Sequence, residues 1–440
     1  MKTIDMTTGH AAKKILLFSL PIFLGNVFQQ IYGLSDAFVV GRFLGTASMA
    51  SIGASAAFIT FINSILIGLC MGSGVLFSSL YGARSSDELS SAISTSAIFI
   101  LAMTCLISML SIICLSPLLS AFQVPPEAVP LARDYLLIIL AGLPFMALYN
   151  IGAAVLRAVG DSKTPLIFLI ISSVVNVAFD FILVLWVPMG VRGPALSTFA
   201  AQLFSGLPLC VYAIRKLNFI KLRFRFERAI FRRVAQYSVL TSLQQSIMNF
   251  GILLVQGLVN SFGVVAMAAF SAGVRIDAFS YMPAQDFGNA FATYTAQNKG
   301  AGKEERIRQG FRSAIVITTV FCAAVTVLVW AFAPQLIAIF LPGDAQAIAA
   351  GARYLRIEGA FYVLIGYLFL FYALYRGMGY FQTSIMLTVI SLGTRVALSY
   401  LLVGLGGGLE SIWWSIPIGW AAADLTGMIR YRRLQKTKRI

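Results

Sequence analysis

The sequence predicts an all-α, polytopic membrane protein, and three observations predict it. The 440 residues are 59% hydrophobic and 11% charged, whereas soluble domains carry about 25% charged residues. Long apolar runs recur between short polar breaks along the whole chain. A unit long enough to cross a membrane is duplicated about 219 residues apart. Because a bilayer offers the backbone no hydrogen-bond partners, the apolar runs are expected to span it as helices.

The apolar runs predict twelve transmembrane helices, since ~20 apolar helical residues cross the ~30 Å hydrocarbon core. They are 13–40, 47–77, 89–117, 128–157, 164–187, 192–214, 230–260, 264–296, 309–334, 346–377, 381–405 and 409–431. Six fall in each half of the chain. The predicted domains are an amino-terminal lobe over 1–215, a cytoplasmic linker over 216–231 and a carboxyl-terminal lobe over 232–440.

The duplication is visible in matching motifs. Segments 156–184 and 375–403 share the frames Arg157-x-x-Gly160 and Arg376-x-x-Gly379, followed by a long apolar run. Further matches pair Gly82-Ala83 with Gly300-Ala301 and Lys13-Lys14 with Arg232-Arg233. Many carriers build two pseudo-symmetric halves from such repeats and move one half against the other. The repeat therefore favours transport as the function.

The basic residues are distributed unequally between the two sides of the predicted membrane. Of 33 Lys and Arg residues, 26 fall in the termini and the loops on one side, and five fall on the other. By the positive-inside rule, both termini and the loop 215–233 are expected in the cytoplasm, where anionic lipid headgroups attract that loop. The net charge of +16 is spread over loops, so nucleic acid is not expected as a partner.

Few residues suit catalysis. The single histidine, His10, lies in the polar amino terminus, and the five cysteines fall in apolar runs without metal-ligand spacing. A membrane-embedded enzyme is the alternative from another functional class, but metal or nucleophilic chemistry has little to work with. Neither a cofactor nor a structural metal is predicted.

Two carboxylates lie in apolar helices of the first half, where ionisable residues are costly and mark candidate sites. Asp180 lies in predicted helix 5 with Asn176 one turn earlier on the same face. Asp36 lies in helix 1, and Thr198 in helix 6 adds a hydroxyl. Two neighbouring carboxylates resist ionising together, so a proton, a sodium ion and a cationic substrate would compete for them. The alternative for Asp36 is an interfacial, purely topological role at the helix end.

Other polar and aromatic residues are candidates for a substrate cavity. They are Tyr135, Asn150, Gln30, Gln245, Met248, Tyr367 and Phe371. Aromatic faces attract organic cations, and amides in a membrane protein avoid lipid. For each aromatic, the alternative is that it faces lipid or packs between helices. Pro21 is predicted to be a hinge in helix 1, because proline removes a helical hydrogen bond.

The second half carries a different set of charges. Arg275 and Asp277 are expected to form a structural pair in helix 8, while the roles of Asp286 and Glu358 stay open. Arg395 occupies the repeat position of Asn176, so the two halves differ chemically where the fold is alike. This difference predicts that one lobe handles a coupling ion and the other shapes the cavity.

Five motifs in order carry a resemblance. They are SLPIFLGNVFQQIYGLSDAFVVGRFLG, LYGARSSDE, LRAVGDSKTP, NVAFDFILV and AQNKGAGKEERI. Together they resemble the multidrug and toxic compound extrusion (MATE) transporters over nearly the whole chain. The resemblance implies two pseudo-symmetric six-helix bundles and export of organic cations in exchange for H⁺ or Na⁺. A monomer in the bacterial plasma membrane is expected. The runner-up is a lipid-linked precursor flippase of the same wider superfamily, which the acidic pair disfavours.

The resemblance also assigns residues. It implies that Asp36, Asn176, Asp180 and Thr198 form the cation site of the amino-terminal lobe, with Na⁺ or H⁺ at the two carboxylates. Pro21 matches the kink of the family's first helix, and Tyr135 and Asn150 match polar cavity residues. One departure stands out. Helix 7 has no acidic residue in its middle and Glu358 lies near the start of helix 10, so a sodium site of the carboxyl-lobe type is not expected.

Overall fold

The computed structural model describes residues 3–121, 126, 128–216 and 227–437, and this part of the chain forms fourteen α-helices and no strand. The first seven are α1 (Ala11–Val39), α2 (Gly45–Gly82), α3 (Ser86–Ile113), α4 (Leu115–Ala121), α5 (Val129–Ala158), α6 (Lys163–Phe181) and α7 (Arg192–Lys216). The others are α8 (Arg228–Asn260), α9 (Val264–Gly300), α10 (Glu304–Phe340), α11 (Ala345–Gly359), α12 (Tyr362–Gly377), α13 (Phe381–Gly404) and α14 (Leu409–Lys436). Five-residue π-helical turns extend α1 over Val40–Leu44 and α6 over Ile182–Trp186.

The all-α prediction is confirmed, and each predicted run coincides with a helix or a pair of helices. Within the described residues, ten helices are long and apolar enough to cross a membrane alone, and α11 with α12 form an eleventh, bent by 53°. The twelfth predicted run, 409–431, is the 28-residue α14. It falls outside that apolar set because tryptophan, serine and glycine dilute its aliphatic residues.

The chain divides into two compact units. Unit 1 contains Met1–Asp5 and Leu20–Ser242, and unit 2 contains Met6–Ser19 and Leu243–Ile440. The divisions fall inside α1 and α8. Residues 217–226, most of the predicted linker, lie outside the described residues. The domain limits at 215 and 232 therefore stay predictions based on the repeat.

In unit 1, α5 is the central helix and packs against α2, α3 and α7. Its buried apolar residues include Leu136, Leu140 and Leu143. The approach of α7 is close: a Cβ on Gly206 would lie 2.2 Å from the carbonyl oxygen of Phe145. Small residues allow membrane helices to approach so closely. This packing fixes the position of Tyr135 on α5 and of Thr198 on α7.

The duplicated frames are helix-terminating turns. In unit 1 the Gly160 amide donates to the Arg157 carbonyl and the Asp161 amide donates to the Leu156 carbonyl. In unit 2 the Gly379 and Tyr380 amides make the same bonds to Arg376 and Tyr375. The φ angles of Gly160 and Gly379 are 86° and 78°. Both frames are therefore Schellman motifs that require glycine at the left-handed position.

Asp161 fastens the loop between α5 and α6. Its carboxylate accepts hydrogen bonds from the Thr164 amide at 3.0 Å and the Thr164 hydroxyl at 2.6 Å, and it forms an ion pair with Lys216. Burial alone would raise the pKa of Asp161, but the hydrogen bonds from Lys216 and Thr164 and the charge of Lys216 outweigh it and lower the pKa. The loop is thus tied to the end of α7.

Near the amino terminus, residues 6–8 pack within unit 2. Met6 is fully buried, and its carbonyl accepts a hydrogen bond from the Asn298 side-chain amide at 3.0 Å. Arg306 donates to the carbonyls of Met6 and Thr8 at 3.2 and 3.1 Å. These bonds satisfy the buried backbone that precedes α1.

Replacing Gly72 with alanine tests the close approach of α2 and α8. A Cβ there would lie 2.1 Å from the carbonyl oxygen of Tyr237, whereas a Cβ on Gly53 of the same helix would meet no atom within 4 Å. Both changes gain up to about 1 kcal/mol of helix propensity, but overpacking costs about 1–3 kcal/mol. We expect Gly72→Ala to lower the melting temperature in detergent by several degrees relative to Gly53→Ala. Equal melting temperatures would contradict the packing.

Asp161→Asn should lose stability in a pH-dependent way. Because folding lowers this pKa, the carboxylate stabilises the fold above the unfolded value of about 3.9, and the effect is lost as pH falls through the folded value. At pH 7 the variant should lose about 1–3 kcal/mol, the range for an unpaired buried group. The difference in melting temperature from the parent protein should shrink towards pH 3. Asp134→Asn is the control, because Asp134 pairs with Arg192 at an exposed position where such pairs contribute little.

Candidate functional site

The four predicted cation-coupling residues meet in unit 1. Asp36 on α1 lies beside Asn176 and Asp180 of α6 and Thr198 of α7. The Thr198 hydroxyl donates to Oδ2 of Asp36 at 3.5 Å. Asn176 and Asp180 are fully buried. The structure thus brings together three helices that contribute two carboxylates, one amide and one hydroxyl.

Most polar atoms of this cluster have no hydrogen-bond partner. They are Oδ1 of Asp36, both carboxylate oxygens of Asp180, and both side-chain amide atoms of Asn176. Buried polar groups normally have partners, because desolvation without compensation costs several kcal/mol. Carboxylate, amide and hydroxyl oxygens suit a proton or a hard cation. Within the described ranges, no group of three His, Cys, Asp or Glu residues gathers as a metal site.

Two π-helical turns border the cluster. Asp36 lies four residues before the turn Val40–Leu44, and Asp180 lies two residues before the turn Ile182–Trp186. The two turns pack against each other. A π-helical turn widens the helix and changes the direction of its side chains, and such turns are frequent at functional sites. The local backbone therefore adds to the side-chain evidence for a site.

Tyr135 of α5 belongs to the same neighbourhood. It is buried and lies within electrostatic range of Asp36, Tyr32 and Asp180. Asn150, in contrast, donates its side-chain amide to the Met146 carbonyl of its own helix at 2.9 Å. Tyr135 is thus next to the carboxylates, while the Asn150 amide is partly satisfied by its own backbone.

Sequence reasoning missed two neighbours of the carboxylates. Tyr32 lies one helical turn before Asp36 on α1, a spacing that the sequence shows. Ser197 lies beside Asp180, although its hydroxyl donates to the Gly193 carbonyl at 3.0 Å. The adjacent Thr198 was the only signal for that position.

The other cavity candidates lie on α1, α8 and α12. Gln30 is exposed, and Gln245 and Met248 are half-buried. Tyr367 shares a hydrogen bond of 2.7 Å with the Thr319 hydroxyl. Phe371 is buried and its ring lies 5.8 Å from that of Phe311, so it packs between helices. The substrate roles of these residues stay predictions.

Helix α1 is continuous through Pro21. Pro21 is buried and precedes Asp36 by fifteen residues, or roughly 22 Å along a helix that rises 1.5 Å per residue. The hinge at Pro21 stays a prediction.

The expected pair of Arg275 and Asp277 is replaced by other contacts. Arg275 is exposed, while Asp277 is buried and accepts a hydrogen bond from the Tyr362 hydroxyl. Residues two apart on a helix point about 200° apart, so Arg275 and Asp277 face different surroundings. Asp277 instead lies in a buried cluster with Glu358 and Arg395.

Comparison with known proteins places the chain in a family. A family model described as MatE matches residues 21–182 and 239–401, which repeats the spacing of the duplicated segments. The Probable multidrug resistance protein YpnP of Bacillus subtilis (strain 168) is 28% identical over 395 residues, which cover 89% of this chain and 88% of that protein. YoeA of the same organism, also named a probable multidrug resistance protein, is 26% identical over 443 residues, covering 97% and 95%.

A solved structure gives the same answer for the fold. It is an outward-facing multidrug resistance MATE family transporter of the MOP superfamily, with a TM-score of 0.92, 25% identity and 98% coverage of both chains. The family model covers well over half of the present sequence, in both halves. The chain therefore belongs to the MatE family of multidrug and toxic compound extrusion transporters, and it is a multi-pass membrane transporter rather than an enzyme.

Proposed function

We propose that this chain is a secondary active multidrug efflux transporter that exports organic cations in exchange for H⁺ or Na⁺. The observation that carries the proposal is the pair of carboxylates in unit 1, half-buried Asp36 and fully buried Asp180, whose oxygens mostly lack hydrogen-bond partners. The names of the relatives support multidrug efflux. The ion coupling and the cationic substrate rest on the site itself.

The chemistry of the pair links the two occupants. Two neighbouring carboxylates favour a net positive partner when both are ionised, and they lose that preference when a proton or Na⁺ neutralises them. A coupling ion that enters at Asp36 and Asp180 therefore weakens the hold on a cationic substrate. Asn176 and Thr198 supply neutral oxygen ligands that remain available in either state. Bending of α1 at Pro21 is the proposed response to neutralisation.

The proposed membrane orientation follows from the uneven distribution of the basic residues. The excess of Lys and Arg on one side supports a plasma-membrane orientation with both termini in the cytoplasm. Cytoplasmic basic loops then lie against anionic lipid headgroups. No cofactor is required, because the energy comes from an ion gradient. A lipid-linked precursor carries a negatively charged headgroup, and the paired carboxylates make it the poorer fit.

Substitution of either carboxylate should abolish export. We expect Asp36→Asn or Asp180→Asn to reduce ethidium efflux at least tenfold in cells that lack other exporters, because the amide cannot exchange a cation. Asp134→Asn, which changes an exposed carboxylate on α5, is the matched control. Efflux at the parental rate in either variant, with equal protein in the membrane, would remove that residue from the coupling mechanism.

Purified protein in proteoliposomes should identify the ion. A pH gradient and a Na⁺ gradient would be imposed separately and ethidium movement followed by fluorescence. At least one gradient should drive transport, and Asp36→Asn should remove the dependence on it. Transport that responds to neither gradient would contradict ion-coupled exchange.

A further inference from the structure

A buried cluster of charges lies in unit 2 and has no assigned role. Asp277 of α9, Glu358 of α11 and Arg395 of α13 come together there, with Tyr354 and Tyr362 beside them. Asp277 and Glu358 are 2% and 3% exposed, and the Arg395 side chain is 13% exposed. Charges removed from water in this way are found where they are paired.

The contacts within the cluster are specific. Arg395 Nη2 donates to Glu358 Oε1 at 3.4 Å, and the Tyr362 hydroxyl donates to Asp277 Oδ1. The second oxygen of each carboxylate is buried without a hydrogen-bond partner. The helix break between α11 and α12 lies at Glu358 and Tyr362, since α11 ends at Gly359 and α12 begins at Tyr362. The cluster therefore joins four helices, α9, α11, α12 and α13, at the bend between α11 and α12.

Neighbouring aromatic rings fix Tyr354 beside the carboxylates. Its ring centroid lies 4.8 Å from that of Trp413 and 5.4 Å from that of Phe270. A Cβ on Gly273 would lie 2.3 Å from Cδ1 of Tyr354, so the ring fills the space that this glycine leaves. The packed Tyr354 ring therefore forms a rigid side of the charge cluster.

The repeat relates this cluster to the cation site of unit 1. Positions 219 residues apart pair Tyr135 with Tyr354, Asn176 with Arg395, and Asp180 with Ser399. Ser197, which lies beside Asp180, pairs at a spacing of 218 with Ser415, and the Ser399 and Ser415 hydroxyls share a hydrogen bond of 2.6 Å. Tyr354 and Arg395 of the unit 2 cluster thus stand at the repeat positions of two residues of the unit 1 site, whereas Asp277 and Glu358 pair with Phe58 and Ile139.

The two clusters differ in where the positive charge comes from. In unit 1 the position of Asn176 is a neutral amide beside two carboxylates. In unit 2 the same position is Arg395, a guanidinium that stays charged and cannot leave. The carboxylates in unit 2 come instead from α9 and α11. The unit 1 cluster is open to an exchangeable cation, whereas the unit 2 cluster contains a fixed cation, the Arg395 guanidinium.

We propose that the unit 2 cluster is a cation-binding site whose permanent occupant is the guanidinium group of Arg395. The native protein takes up no coupling ion there, and truncation of Arg395 creates a pocket for a free guanidinium ion between Asp277 and Glu358. The comparison with an exchangeable cation in unit 1 rests on the proposed function. The occupancy in unit 2 does not, because it is measured without transport.

Chemical rescue of Arg395→Ala tests the proposal. The variant should melt at least 5 °C lower than the parent protein in detergent, since removing one partner strands a buried carboxylate. Guanidinium chloride at 1–50 mM should restore at least half of the loss with saturable dependence. NaCl and tetramethylammonium chloride at equal concentration control for ionic strength and charge. Arg275→Ala is the matched control, because that arginine is exposed two residues from Asp277.

The outcomes separate a bound cation from simple packing. Saturable recovery by guanidinium in Arg395→Ala, without recovery in Arg275→Ala, supports the proposal. No recovery, or equal recovery with tetramethylammonium, overturns it. If Arg395→Ala does not yield folded protein, Glu358→Gln is added to it. A charge-matching role predicts that the double variant folds in higher yield, and a yield no better than that of the single variant overturns the proposal.

Discussion

The energetic cost of a charge away from water governs the interior of both units. An ionised carboxylate inside a membrane protein needs a proton, a metal cation, a fixed basic group or several hydrogen bonds. Asp161 meets this need with Lys216 and Thr164 at a loop, and Glu358 meets it with Arg395. Asp36 and Asp180 have neutral neighbours and each other, but within the described residues no basic side chain pairs with them. By this measure an external cation has more to offer the unit 1 pair than Asp161 or Glu358.

Close helix packing makes such polar interiors possible. Where Gly72 faces the backbone of α8 and Gly206 faces that of α5, helices approach without intervening side chains. Some serine hydroxyls at these contacts form hydrogen bonds across the helix interface, as Ser73 does with Ser238 at 2.8 Å. Others donate to backbone carbonyls. Because helices are joined by small residues, the larger polar side chains can converge at a few positions. Large apolar side chains are left exposed on the helix surfaces, as Trp186 and Leu405 illustrate.

Some of this was readable from the sequence and some was not. Rules that act over a few residues predicted the helices and the shared face of Asn176 and Asp180, and the repeat aligned Gly160 with Gly379 without revealing that both end a helix. The convergence of Asp36 with Asp180 could be expected only from the family resemblance, because the positions are far apart in sequence and no spacing rule joins α1 to α6. The Glu358–Arg395 pair was missed for the same reason. The prediction that Arg275 and Asp277 form a pair was wrong, because side chains two residues apart on a helix point in different directions.

The Schellman turns at Gly160 and Gly379 have an evolutionary consequence. Their signal is a backbone conformation, so after duplication of an ancestral gene each copy needed to keep little more than a glycine to retain its helix end. Side chains elsewhere in the copies were then free to drift apart in charge. At one repeat position the first half carries the amide Asn176 and the second half the guanidinium Arg395. Because each helix end depends on the main-chain conformation of one glycine, the side chains nearby can differ between the two halves without a change of fold.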